Sequence, residues 1–188
     1  MKLMILAMIM LLLRVENMLA QEFVGYTQLN DQALEDIKII GSAKISNSTF
    51  RNLEIIGAVE IENVKVQNKL NIIGPILKSK TLNAPYAEIA GSFQGDNILI
   101  EHLKVAGDIH ASNSIFKKLE FTGDYINLVS SKVERLKIYS QENGSEVKQI
   151  RLNLKNSAIE QEIETIGHNK IIIFKEALSI NDIIESTK

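Results

Sequence analysis

From Ile37 onward apolar side chains recur at every second position, in a pattern that returns with each of a series of glycines. Four residues before the glycine stand Ile37, Leu53, Leu70, Ala87, Leu103 and Leu119; two before it, Ile39, Ile55, Ile72, Ile89, Val105 and Phe121. Two after it stand Ala43, Val59, Ile76, Phe93, Ile109 and Tyr125. A period of two sets these side chains on one face of a strand, and β-branched residues dominate the columns, as strands prefer. The glycines, Gly41, Gly57, Gly74, Gly91, Gly107 and Gly123, are 16, 17, 17, 16 and 16 residues apart.

A repeat near 17 residues that carries several short strands predicts an all-β fold, a single-stacked parallel β-solenoid. Each coil reads as three strands: one ending before the glycine, one following it, and one seven to nine residues after it. The third shows as Ser48/Phe50, Val64/Val66, Ile98/Ile100 and Ser114/Phe116. No coil buries its inner face alone. Stacking at about 4.8 Å turns each column into a core ladder and pairs backbone groups between coils.

Two polar columns fit the same stack. Six residues after the glycine stand Asn47, Asn63, Asn97 and Asn113. Asparagine tolerates the left-handed backbone of a corner, and stacked amides hydrogen-bond in a ladder. Lys80 interrupts this column, and Pro75 and Pro85 in that coil predict a distorted turn. Three before the glycine stand Lys38, Glu54, Asn71, Glu88, Lys104 and Glu120, with Lys137 continuing. Opposite charges or a neutral amide adjoin at each step, which marks an outward face.

The flanks differ. Residues 21–36 read as an N-terminal cap, 37–174 as the solenoid with a polar loop at 141–146, and 175–188 as a C-terminal cap. The apolar residues between Ala177 and Ile184 fall near helical spacing, so that cap is expected to be helical. Caps are expected because a bare solenoid end is an edge strand that invites polymerisation.

The first twenty residues hold all five methionines and an uninterrupted apolar run from Leu3 to Leu13, eleven residues long, behind Lys2. A bilayer core needs roughly 20 such residues, so the run is short for a span. A basic start, a short apolar run and a small residue after it describe a secretory signal peptide, with cleavage after Ala20. The expected location is therefore periplasmic or secreted. The alternative is an uncleaved amphipathic N-terminal helix, the one route by which a membrane would be a partner.

Composition narrows the function classes. At 188 residues the chain suits one domain, and 21 basic against 23 acidic residues give a net charge of −2. That balance excludes a bulk polyanion binder, and no nucleic-acid partner is expected. There is no cysteine, which excludes disulfide scaffolds, thiolate metal sites and Cys nucleophiles.

The repeats Ile55-Ile56-Gly57-Ala58-Val59-Glu60-Ile61 and Val105-Ala106-Gly107-Asp108-Ile109 resemble those of the bactofilins, bacterial polymer-forming proteins. The resemblance covers about residues 37–140 and carries no catalytic motif. It implies a right-handed, triangular β-helix and a capacity to form polymers. Pectate-lyase-like and adhesin-type β-helices share the architecture, so the fold leaves function open.

Candidate chemistry is sparse. His102, His110 and His168 have no second ligand at a metal-site spacing, and no phosphate-binding loop or dinucleotide fingerprint is present, so no metal or cofactor is expected. Asp108 and Asp124 lie sixteen residues apart, with His110 in the first coil; stacked carboxylates there could act as a glycosidase pair or simply face solvent. Five before the glycine stand Lys69, Tyr86, His102 and Lys118, continued by Arg135, a basic stripe that an acidic glycan could follow. Directly before the glycine stand Ile40, Ile56 and Ile73, then Ala90 and Ala106. By alternation these isoleucines face outward, an apolar stripe that marks a contact with a cap, a protein partner or a second copy. The expectation is an exported, non-enzymatic structural or interaction module, self-assembling or adhesion-type, against the alternatives of a polysaccharide-active β-helix enzyme and a bactofilin-like polymer.

Overall fold

The computed structural model describes residues 20–139, 148–167 and 169–176. Fifteen strands occupy them: β1 (Gln21–Val24), β2 (Thr27–Asn30), β3 (Ala33–Ile40), β4 (Ala43–Ile56), β5 (Val59–Ile73), β6 (Ile76–Ala90) and β7 (Phe93–Ala106). There follow β8 (Ile109–Ser112), β9 (Ile115–Thr122), β10 (Tyr125–Val129), β11 (Lys132–Tyr139), β12 (Lys148–Lys155), β13 (Ala158–Ile159), β14 (Glu164–Ile166) and β15 (Asn169–Glu176). All pair in parallel, each coil with the next, in a solenoid of about seven turns. Among the described residues there is no helix.

The glycine columns form the core. Ile37, Leu53, Leu70, Ala87, Leu103 and Leu119 are buried in register, as are Ile39, Ile55, Ile72, Ile89, Val105 and Phe121. Residues 21–36 form a coil in the same phase: Gln21 pairs with Ile37, Thr27 with Ala43, and Gly25 turns the chain with φ 96°. The polar loop 141–146 and all but the first two residues of the expected helical cap lie outside the described residues. Lys175 and Glu176 end strand β15.

Two corners hold every coil. At the first, Gly41, Gly57, Gly74, Gly91 and Gly107 all have φ between 133° and 150°, a region side chains rarely enter. At the second, Asp31, Asn47, Asn63, Thr81, Asn97, Asn113, Ser130 and Asn156 all have positive φ. The expected amide ladder is present where Asn63 Nδ2 donates to Asn47 Oδ1 at 3.0 Å. Elsewhere the partners change: Asn97 donates to Thr81 and Asn113 to Asp96. Inside this corner runs a serine ladder. Ser131 Oγ accepts from Ser114 N, Ser157 Oγ accepts from Ser131 N, and each hydroxyl donates to the carbonyl two residues back. These bonds satisfy backbone donors at a bend where the coil-to-coil ladder is interrupted.

Two of the register slips between coils bear on the expected columns. In β6 one extra residue follows Pro75: Ile76 faces Val59, but Lys78 faces Glu60. Leu77 is the bulged residue and is 53% exposed. The corner column therefore continues with Thr81, one residue beyond Lys80. The second slip corrects the expected inward column of Phe93, Ile109 and Tyr125. Ile126 stacks on Ile109, and Tyr125 is only half-buried. The slip falls at Gly123, which lacks the positive φ of the other corner glycines, and Ile126 rather than Tyr125 pairs with Ile109.

Candidate functional site

Val24, Ile40, Ile56 and Ile73 are register neighbours in four successive coils, followed by Ala90, Ala106 and Thr122. The strand alternation that buries Ile39, Ile55 and Ile72 turns these side chains outward. Val24 is 76% exposed and Ile73 49%, while Ile40 and Ile56 are half-buried between their neighbours. Their sequence signal extended one coil further than the isoleucines alone: Gly25 precedes Gly41 by sixteen residues and places Val24 in the same column.

Beside this ladder, on the same outward side, stand Lys38, Glu54, Asn71, Glu88, Lys104, Glu120 and Lys137, also in register. The predicted basic stripe lies next to it. Lys69, Tyr86, His102, Lys118 and Arg135 stack in that order. The Tyr86 and His102 rings meet edge-on with centroids 5.1 Å apart, and Lys69 Nζ lies 5.4 Å from the Tyr86 centroid. Much of the stripe's charge is paired with the adjoining column. Lys69 meets Glu88 at 3.3 Å; His102 Nε2 lies 3.1 Å from Glu120, which Lys118 also bonds.

Glu120 is the centre of this network. Its side chain is 12% exposed and faces His102, Lys104 and Lys118, with the Tyr139 hydroxyl at 3.5 Å. Burial pushes its carboxyl up, but the Lys118 hydrogen bond and the charges of Lys104 and Lys118 together hold it below the usual range. Asp36, at the start of the stripe's column, is likewise held low, by hydrogen bonds from Arg51 and then Asn52.

Asp108 and Asp124, the aspartates proposed as a pair, both lie at the slip, where Gly107 and Asp108 face Gly123, Asp124 and Tyr125; Asp108 Oδ1 accepts from Tyr125 N at 3.2 Å. His110 faces Asn127, and its ring lies 5.3 Å from that of Tyr125. His168 lies outside the described residues.

One concave feature had no counterpart in the sequence reading. A groove of about 750 Å³ crosses β6, β7, β8 and β10, with Lys78, Lys80, His110 and Asn127 on its walls. Its floor follows Ser79, Gly95 and Ala111, inward positions that carry Ile45 and Ile61 in earlier coils and Leu128 and Leu154 in later ones. The signal available was the unmatched Gly95 at an apolar position. Among the described residues no three His, Asp or Glu side chains converge to hold a metal ion, and no helix is long and apolar enough to cross a membrane. No protein-family model matches the chain, and neither a curated protein nor a solved structure is similar enough to count as a match.

Proposed function

We propose that the chain is an exported, non-enzymatic structural module, a right-handed three-sided solenoid that self-associates through the Val24–Ile40–Ile56–Ile73 ladder. The observation that carries the reading is the ladder itself: four branched apolar side chains in register on an outward face, Val24 and Ile73 exposed and Ile40 and Ile56 half-buried between them, beside a charged column. Covering a large aliphatic side chain is worth about 1.5–3 kcal/mol, so an uncovered row is a standing incentive to associate.

A second copy of this chain is the partner the face fits. The flanking column mixes Lys38, Lys104 and Lys137 with Glu54, Glu88 and Glu120, so a two-fold contact can oppose unlike charges along its rim. Four side chains per copy make a small patch, and the association is expected to depend on concentration. Right-handedness follows the general rule for connected parallel strands, and the three sides from two corner columns plus the bend near Arg51, where the β4–β5 register shifts. Export rests on the Lys2 start, the Leu3–Leu13 run and Ala20.

Sedimentation across a concentration series, with a thermal melt, tests the reading on the parent and on Ile56→Lys. The expected result is a parent that gains mass with concentration and a variant that stays folded and does not. Equal masses and melts would make the stripe ordinary surface. N-terminal sequencing of the protein from its native cell tests export, with Gln21 the expected first residue.

A further inference from the structure

We propose that the C-terminal end of the solenoid is a docking surface for the chain's own residues 177–187, which lie on it as one further rung. The end is open on two counts. Ile173 stacks on buried Leu152 in the inward column, yet it is 45% exposed. β13 pairs with β11 on one side, and no described strand lies on its other side. A hollow of about 770 Å³ opens there, lined by Leu154, Ile159, Ile163 and Ile173 with Ser131 and Ser157. Ile159 and Ile163 pack against the core and are only half-buried. An apolar interior beside an open strand edge invites an occupant.

The sequence beyond Glu176 matches that surface in register. β15 lies on β12 at an interval of 21 residues, Ile171 on Ile150 and Ile173 on Leu152. Carried forward at the same interval, Ile180 falls on Ile159 and Ile184 on Ile163. The two segments read alike: Ile159-Glu160-Gln161-Glu162-Ile163-Glu164-Thr165 against Ile180-Asn181-Asp182-Ile183-Ile184-Glu185-Ser186. Ile159 stands on buried Val133, and Ile163 precedes Glu164 as buried Leu136 precedes its register neighbour Lys137. Ile180 and Ile184 thus extend inward columns into the hollow, while Ile183, above exposed Glu162, turns outward.

The tether selects this occupant over a second copy. Glu176 is the register neighbour of Lys155, one residue before the corner at Asn156, so the segment starts at the surface it covers. Two steps weaken the rung: Ala177 falls at a corner that favours asparagine, and Glu185 falls above Glu164, whose charge Lys137 shares at 2.8 Å. It is therefore expected to detach before the coils beneath it. Ile180, Ile183 and Ile184 would also share one face of a helix, but only a rung separates Ile183 from the other two. This surface is the end of the rod and the apolar ladder runs along its side, so the two proposals stand or fall separately.

Cysteine pairs in the full chain, which has none of its own, test the register. Parallel neighbours at about 4.8 Å are within disulfide reach. Dilute air oxidation of Glu164→Cys/Glu185→Cys should give a monomer-sized, reducible disulfide, and Ala158→Cys/Glu185→Cys, six residues out of register, should give none. Added to the first pair, Ile184→Lys should cut the oxidised fraction about tenfold, the worth of one covered aliphatic side chain, and Ile183→Lys should leave it unchanged. No disulfide in the first pair overturns the proposal, as does equal disulfide in both, which would mean a tail tethered but not docked. Equal loss from Ile183→Lys and Ile184→Lys would overturn the rung in favour of a helix across the end.

Discussion

A Cβ built on Gly57 would stand 2.0 Å from the carbonyl oxygen of Gly41, the corner glycine of the coil before it. The same contact, at 2.2–2.4 Å, recurs at Gly41, Gly74, Gly91 and Gly107, so the spacing of the coils at this corner is set by backbone touching backbone. Glycine serves here twice, for its positive φ and for its missing side chain.

Gly57→Ala is therefore expected to cost about 3 kcal/mol or more, since the strained φ and the clash add. Chemical denaturation of parent and variant measures it. A loss under about 0.5 kcal/mol would mean that the corners relax freely.

Ile109 is fully buried between Phe93 and Ile126. Ile109→Ala should cost about 2–5 kcal/mol, whereas Tyr125→Ala, outside that column, should cost clearly less. Equilibrium unfolding of both variants checks the order. The reverse order would restore Tyr125 to the core and remove the slip at Gly123.

Glu120→Gln removes the carboxylate shared by His102, Lys104 and Lys118, and at pH 7 should cost about 1–3 kcal/mol. Because the folded state holds the carboxyl below its ordinary value, the stabilisation is whole above about pH 4.3, the unfolded value. It is lost as pH falls through the lower folded value. Melting curves of parent and variant should converge below about pH 4. A gap that widens in acid would contradict the arrangement.

The strands and the core were legible because glycine spacing and two-residue periodicity arise from the same backbone geometry that stacks the coils. Gly57 announced its corner, and Ile39, Ile55 and Ile72 their ladder. Two features were not, because each depends on a single residue of slip. Tyr125 sits two after Gly123 just as Ile109 sits two after Gly107, and only the backbone at Gly123 shows that Ile126 takes the inward place. The groove was hidden likewise: the bulge at Leu77 moves Ser79 into the column of Ile61 and Gly95. The outward stripes were legible as columns, but the partner charges on Lys69, His102 and Lys118 required side-chain positions.

The chain has no cysteine, so one introduced at Ile73 can form a disulfide only with another copy. Air oxidation of Ile73→Cys, read on a non-reducing gel, tests the self-association directly, with Asn83→Cys, exposed on another segment of the same coil, as its control. The account predicts a reducible dimer from Ile73→Cys at concentrations where Asn83→Cys stays monomeric. Equal dimer from both, or none from Ile73→Cys, would contradict it.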